Sequence, residues 1–239
     1  MKRALAVVVT DTGVGKTVVT AALLVALRRR GLAAVPWKPW GSGGVRHGMG
    51  WISPDAVWWK RVLGLPHPLA VLNPVCHRLP LAPAVAARLT GRAGAAVPRP
   101  ALRAAWAGLG LERTPALVEG VGGVLVPVDG NRTVADFLRA FRLPALVVAH
   151  AGLGTLNHTL LTLEALARRR ITVIGVLLNG GRPGDPAVRS NPGALRRLAR
   201  VPVWGPVPRL RGVRGRAGLA RLAARLPGSL VRCVERRLR

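Results

Sequence analysis

Lys16 and Thr17 close the run Thr10-Asp11-Thr12-Gly13-Val14-Gly15-Lys16-Thr17, whose residue types suit the handling of phosphate. Gly13 and Gly15 let the backbone N–H groups of a tight turn, Val14 between them, face an anion. The helix that must follow adds partial positive charge at its first turn. Lys16 can reach β- and γ-phosphates, and the Thr17 hydroxyl can ligate Mg²⁺. A glycine-rich turn with an incidental lysine is the plainer account. It does not require an apolar strand before the turn and a helix after it, whereas this run has Ala4–Thr10 before it and apolar Val18, Ala21, Ala22, Val25 and Ala26 after it.

Five further stretches carry candidate chemistry. In Trp37-Lys38-Pro39-Trp40-Gly41-Ser42-Gly43, Pro39 keeps Lys38 extended, so its ammonium can project over a strand end towards phosphate, and Ser42 offers a hydroxyl between two glycines. A Pro-Gly turn with a solvated lysine explains the same residues taken alone. Ser53-Pro54-Asp55 reads as an N-cap, a first helical residue and a carboxylate favoured by the helix dipole, which by itself accounts for Asp55. Glu119 ends an apolar strand and precedes Gly120-Val121-Gly122-Gly123; it is placed to share Mg²⁺ with Thr17 while the glycines allow close backbone approach. A tight turn with an exposed Glu is the alternative. The junction at Gly154-Thr155-Leu156-Asn157 supplies a helix N-terminus suited to a substrate carboxylate, or simply a capped helix. Asn179 ends another apolar strand and could read an adenine edge, with Gly205 to Leu210, including Pro208 and Arg209, as the facing wall. His150 and His158 have no Asp or Ser partner in the pattern and receive no catalytic role.

These groups act together only if the chain brings them to one edge of one sheet. Apolar runs predict strands at Ala4–Thr10, Ala33–Lys38, Ala116–Glu119, Gly123–Pro127, Ala145–Ala149, Thr172–Asn179 and Val201–Pro206. Between them helices are predicted at Lys16–Arg29, Pro54–Leu63, Ala84–Leu89, Pro100–Gly108, Val134–Phe141, Thr155–Arg169, Pro192–Ala199 and around Ala217–Arg225. Gly91 to Pro100 reads as a Pro/Gly/Ala loop. Short apolar strands alternating with helices imply an α/β fold with a mostly parallel sheet covered on both faces. Ligands in such sheets gather beyond the carboxyl ends of the strands, where every motif above lies. One domain over 1–239 is expected, with 211–239 a basic helical segment.

The chain has 239 residues, 50% of them hydrophobic, enough for one full core. No apolar run reaches the roughly 18 residues a membrane helix needs. Lys2 and Arg3 before an apolar stretch imitate a leader, but the phosphate-loop run that follows argues for a cytoplasmic protein. Cys76 and Cys233 lack metal-ligand spacing and read as inert thiols. A formal net charge of +28 keeps a polyanion partner open. Against nucleic acid stand the absence of an RNA-binding aromatic signature, of zinc-finger spacing and of any Tyr; stacking would fall to seven Trp. Only nine residues are acidic, yet Asp11, Asp55 and Glu119 each fall at a strand end or helix start, a cue for binding a metal or an ammonium group.

In order, Thr-Asp-Thr-Gly-Val-Gly-Lys-Thr, Lys38-Pro39-Trp40-Gly41-Ser42-Gly43, Glu119 to Gly123 and Gly152 to His158 resemble the dethiobiotin synthetase family of the P-loop NTPase class, over about Val7 to Leu210. Asp11 separates the chain from ParA/MinD-like relatives, which carry a signature Lys at that point. The resemblance implies an ATP- and Mg²⁺-dependent ligase that converts 7,8-diaminopelargonate and CO₂ to dethiobiotin in biotin biosynthesis. It implies Lys16 and Lys38 as catalytic cations, Thr17, Asp55 and Glu119 as metal ligands, and Thr12 and Ser42 as positioners of diamine and carbamate. Gly13 to Thr17 and Gly120 to Gly122 would line the nucleotide, Asn179 and Pro208 to Leu210 the adenine. Gly154, Thr155, Leu156 and Asn157 would serve the substrate across a homodimer. Val9 stands where the family has Gly, and Val121 where it has Ala. A cobyrinate-type amidoligase is the competing enzyme, though no glutaminase Cys/His pair accompanies this chain. A non-catalytic basic P-loop module is the third reading; Lys38 and Ser42 would be superfluous in it.

Overall fold

The computed structural model describes residues 3–91, 99–182 and 184–239, so the loop expected over Gly91 to Pro100 lies largely outside the described residues. The chain opens with β1 (Ala4–Val9), α1 (Lys16–Arg29), β2 (Val35–Trp37), β3 (Trp40–Gly41), β4 (Val45–His47) and β5 (Gly50–Ile52). There follow α2 (Pro54–Leu63), α3 (Leu69–Leu72), β6 (Val75–Cys76), α4 (Pro83–Leu89), α5 (Arg99–Gly108), β7 (Ala116–Gly123), β8 (Pro127–Asp129) and β9 (Arg132–Thr133). The rest is α6 (Val134–Ala140), β10 (Ala145–His150), α7 (Thr155–Arg168), β11 (Val173–Asn179), α8 (Pro186–Leu198), β12 (Val203–Val207), α9 (Arg216–Arg225) and α10 (Gly228–Leu238).

Six strands form one sheet in the order β12-β11-β10-β1-β7-β2. Every neighbouring pair is parallel. Parallel strands must be joined by crossovers, and these leave helices on both faces. β1 sits inside the sheet and every one of its residues is buried, which explains its unbroken apolar run. Alternate residues feed two cores. Leu5, Val7 and Val9 pack with α1, Trp58 and Trp59 of α2, and the apolar faces of α9 and α10. Ala4, Ala6 and Val8 pack with Trp37, Trp106, Leu138, Leu166 and Leu195 on the other side. Truncating one fully buried Leu, such as Leu146 or Leu177, to Ala costs about 2–5 kcal/mol. The basic C-terminal segment is therefore part of the core: Leu230, Val231, Val234 and Leu238 are buried, and Arg3 Nε donates to the Leu238 carbonyl at 2.8 Å.

Two expected elements differ. The strand expected over Gly123–Pro127 is a turn: β7 runs on to Gly123, Gly122 takes φ 58°, and Val126 N–H donates to the Gly123 carbonyl at 3.1 Å. The helix expected from Pro192 begins at Pro186, because Asp185 caps it through an Oδ1 bond from Ala187 N–H at 2.8 Å. Pro192 lies inside α8 and forfeits one helical bond, yet the helix persists because Asn191, Pro192 and Leu195 are buried. Short pieces such as the β4–β5 hairpin and the β3–β6 pair are too brief for periodicity to reveal.

Candidate active site

The phosphate loop leaves β1 and enters α1. Gly13 and Gly15 take φ 80° and 96°, left-handed values that cost a residue with a Cβ and not glycine. Gly15 caps α1 with no side-chain bond, so no side chain competes for the first helical N–H groups. Asn179, at the end of β11, braces the loop from below: its Nδ2 donates to the Val14 carbonyl at 2.7 Å. A Cβ on Gly15 would lie 2.5 Å from that same Nδ2, so close approach is the second reason for glycine there. Val9 is buried at the end of β1, paired with Val148 and Gly123, and the loop glycines keep their left-handed turns beyond it.

Beside the loop lies a buried charged cluster. Lys38 Nζ donates to Glu119 Oε1 at 2.6 Å and to Asp55 Oδ2 at 2.8 Å. Thr17 Oγ1 donates to the same Glu119 Oε1 at 3.0 Å, and Thr20 Oγ1 to Glu119 Oε2 at 3.1 Å. Burial opposes the charge on Lys38, but the Glu119 and Asp55 carboxylates overcome it and hold the ammonium above its usual range. Burial likewise pushes Asp55 up, and Lys38 more than reverses it, leaving the carboxyl below its ordinary value. Lys16 goes the other way. Burial and the Lys38 charge lower its pKa despite attraction from Glu119 and Asp55. Lys16 is thus a cation short of negative charge.

Each group is fixed by its element. Lys38 follows β2 and is held extended by Pro39. The Ser53 cap and Pro54 start α2, with Asp55 N–H donating to Ser53 Oγ at 3.3 Å. Asn73, only 2% exposed, ties these pieces together. Its Oδ1 accepts from Ser53 N–H at 2.8 Å, and its Nδ2 donates to the carbonyls of Lys38 and Val75. Trp59 Nε1 donates to the Thr17 carbonyl at 3.1 Å, linking α2 to α1. Sequence reading missed Asn73, Thr20 and Trp59. Thr20 had a signal, since it lies three residues after Thr17 on one helix face; Asn73 had none beyond the turn residue Pro74 that follows it.

The other expected residues are placed as follows. Thr12 is exposed and Ser42 half-buried. Gly120, Val121 and Gly122 are in β7, not a free loop: Val7 pairs Glu119 and Val9 pairs Gly123, so the strand bulges there. Gly154 caps α7 with φ 87°, and Asn157 is exposed beside it. Thr155 is 3% exposed, with its hydroxyl against Thr159 Oγ1 at 3.3 Å and its N–H donating to the Gly152 carbonyl at 3.4 Å; Leu156 is half-buried. Asn179 pairs Val207, which carries Pro208, Arg209 and Leu210 out next to it.

The donor set suits a hard cation shared with phosphate. Thr17 Oγ1, Asp55 Oδ2 and Glu119 Oε1 are all oxygens, and the two carboxylates converge on one ammonium. Among the described residues no group of three or more His, Cys, Asp or Glu is placed to hold a metal ion, so a cation on Asp55 and Glu119 needs Thr17 and the phosphates to complete its shell.

The family model described as an AAA domain matches residues 3–217. An ATP-dependent dethiobiotin synthetase of Anaeromyxobacter sp. (strain K) is 45% identical over 210 residues, covering 85% of this chain and 91% of that protein. The one from Anaeromyxobacter sp. (strain Fw109-5) is 44% identical over 237 residues, covering 95% and 99%. That of Aromatoleum aromaticum is 37% identical over 221 residues, covering 92% and 95%. Among solved structures, a cobyrinic acid a,c-diamide synthase from Mycobacterium smegmatis aligns at 16% identity and a TM-score of 0.49, covering 94% of this chain and 93% of that one. That likeness is too low to distinguish one activity from another.

Proposed function

The chain belongs to the ATP-dependent dethiobiotin synthetase family, and from that premise we propose that the cluster beside the phosphate loop carries ATP-driven carboxylation and ring closure of 7,8-diaminopelargonate. One observation supports it most: Lys38 Nζ is held between Glu119 and Asp55 beside Lys16, where a pure nucleotide switch has no use for a second buried lysine. In the reaction, one amine takes up CO₂ as a carbamate. The carbamate oxygen attacks the γ-phosphorus, ADP leaves, and the second amine displaces phosphate from the mixed anhydride to close the cyclic urea.

Carbamate and triphosphate repel each other, so the site must supply positive charge where they meet. Two lysines and two carboxylates leave the cluster without net charge, although only Lys38 is paired with the acids, so a triphosphate calls for a further cation. Thr17, Asp55 and Glu119 would hold Mg²⁺, which when bound neutralises phosphate charge. Lys16 binds the β- and γ-phosphates, and Lys38, released from its carboxylates, holds the carbamate against the γ-phosphate. Gly13, Val14 and Gly15 cradle the phosphates through N–H groups, and Gly120 to Gly122 let the β7 backbone approach. Thr12 and Ser42 orient diamine and carbamate. The Val14 contact turns the Asn179 Nδ2 inward, so its Oδ1 accepts from the adenine amino group beside Pro208 to Leu210.

The start of α7, Gly154 to Asn157, binds the substrate carboxylate in a homodimer. Leu153, next to it, is 93% exposed. Among the described residues no helix is long and apolar enough to cross a membrane.

The test is phosphate release from Mg·ATP and bicarbonate, with and without the diamine, for wild type and Lys38→Ala, each below its own melting temperature. Diamine-dependent release with dethiobiotin as product, falling at least about a hundredfold in the variant, is expected. Release that ignores the diamine sinks the assignment.

A further inference from the structure

Away from the phosphate loop, at the edge where β10 and β11 begin, Arg139, Arg142, Arg169, Arg170 and Arg237 line one concavity of about 540 Å³. The ends of α6, α7 and α10 bring them together. Asp136 Oδ1 takes Arg169 Nε at 3.2 Å; among the described residues the other four make no ion pair. Cations beside helix C-termini are favourable, and that alone explains Arg139 and Arg237.

It does not explain Arg142 and Arg170. These residues end their helices in the left-handed region, at φ 52° and 55°. The chain uses glycine for the same task at Gly31 and Gly64, with φ 77° and 65°. An arginine there carries backbone strain that glycine would relieve. Strained residues persist where something else holds them, and of the three such arginines among the described residues two line the same concavity. The third, Arg200 at φ 51°, follows α8 outside it and serves as an internal control.

We propose that this concavity binds a compact condensed-phosphate anion, such as a tripolyphosphate group. Guanidinium forks match phosphate oxygens two at a time, and four arginines that make no ion pair among the described residues line the concavity from the ends of three helices. Among the described residues no aromatic side chain lines the concavity, so a base could stack only on guanidinium planes that the phosphates would already engage, and the phosphate chain is what is read.

The experiment is calorimetric titration of sodium tripolyphosphate at physiological ionic strength into the full chain carrying Lys16→Met, which takes the phosphate loop's lysine out of the count. One site is expected, weakened about tenfold or more by Arg142→Gly with Arg170→Gly. The melting temperature of that double variant should equal or exceed its parent's, because glycine suits both turns. Arg142→Asn with Arg170→Asn, which also tolerates the left-handed region, is the second variant should the glycine pair fail to fold. Arg200→Gly with Arg196→Gln removes as much charge elsewhere and should leave the affinity intact. ATP should bind no tighter than tripolyphosphate, whether the phosphate chain is free or carried on a nucleoside. Unchanged affinity in both Arg142/Arg170 pairs, an equal loss in the control pair, no site at all, or tighter binding of ATP or of a single-stranded oligonucleotide overturns the proposal.

Discussion

At the scale of single residues the site turns on Lys38. Its side chain is 5% exposed and that of Glu119 not exposed at all, so removing the ammonium strands a carboxylate in the core. Lys38→Met should cost about 3–5 kcal/mol in urea unfolding. Mg²⁺ should restore much of that loss, because a dication can take the ammonium's place between Glu119 and Asp55; a loss indifferent to Mg²⁺ would refute the shared site. The acid limb carries the same signature. Asp55 titrates below its ordinary 3.8, so its contribution is present above that value and fades as pH falls through the depressed pKa. Without Lys38, burial raises the Asp55 pKa, and the acid loss of stability should begin at higher pH. Lys38 itself, raised above 10.5, contributes fully below that value and loses its contribution only as pH climbs through the raised pKa. The residue types of this cluster were legible in the chain: a lysine held extended by proline, an aspartate just inside a capped helix, and a glutamate expected at a strand end that lies instead within β7. Their pairing was not, since Lys38 and Glu119 are 81 residues apart and nothing local announces that an ammonium will settle between two carboxylates.

At the scale of elements, the long apolar-periodic pieces were readable and the junctions were not. β1, α1 and α2 fall where their apolar patterns and caps put them, because burial and local propensity agree there. Around Gly120 to Gly122 they disagree. Glycine suggests a loop, yet pairing with β1 keeps the backbone in the sheet through a bulge, and the turn comes only after Gly123. In α8 proline at position 192 looks like a start, but the Asp185 cap and buried Asn191 and Leu195 outweigh the single bond that Pro192 gives up. Asn73 is the extreme case, a polar residue without local pattern that fastens the end of β2, the cap of α2 and β6. Asn73→Ala leaves one N–H and two carbonyls in the core without that partner, and should cost about 1–3 kcal/mol or more in urea unfolding. Because Lys38 and Ser53 move with it, turnover should fall further than the Michaelis constant for ATP rises. Wild-type turnover in a stably folded Asn73→Ala protein would show that Asn73 does not position Lys38.

At the scale of the whole molecule the unresolved matter of composition is the charge of +28. The structure removes one use for it. Trp37, Trp40, Trp58, Trp59 and Trp106 are buried in the two cores, which leaves only the half-buried Trp51 and Trp204 near the surface, too few for a run of stacking tryptophans. Among the described residues few of the arginines find acids: ion pairs such as Arg30–Glu235 and Arg168–Glu164 are a small fraction against the chain's 37 basic residues. Most of the charge therefore repels itself across the surface, and that repulsion opposes the compact state. The two charge populations respond oppositely to salt. The buried Lys38 cluster is shielded from ions, while exposed arginines are screened within about 8–10 Å at physiological ionic strength. The melting temperature in the absence of ligand should therefore rise with sodium chloride over the range in which the Debye length contracts to the spacing between surface arginines, then level off. A chloride-specific rise larger than that given by a weakly interacting anion at equal ionic strength would instead indicate anions occupying discrete sites among the arginines. A melting temperature that falls with salt would mean that surface ion pairs, and not net repulsion, govern the electrostatics of this chain.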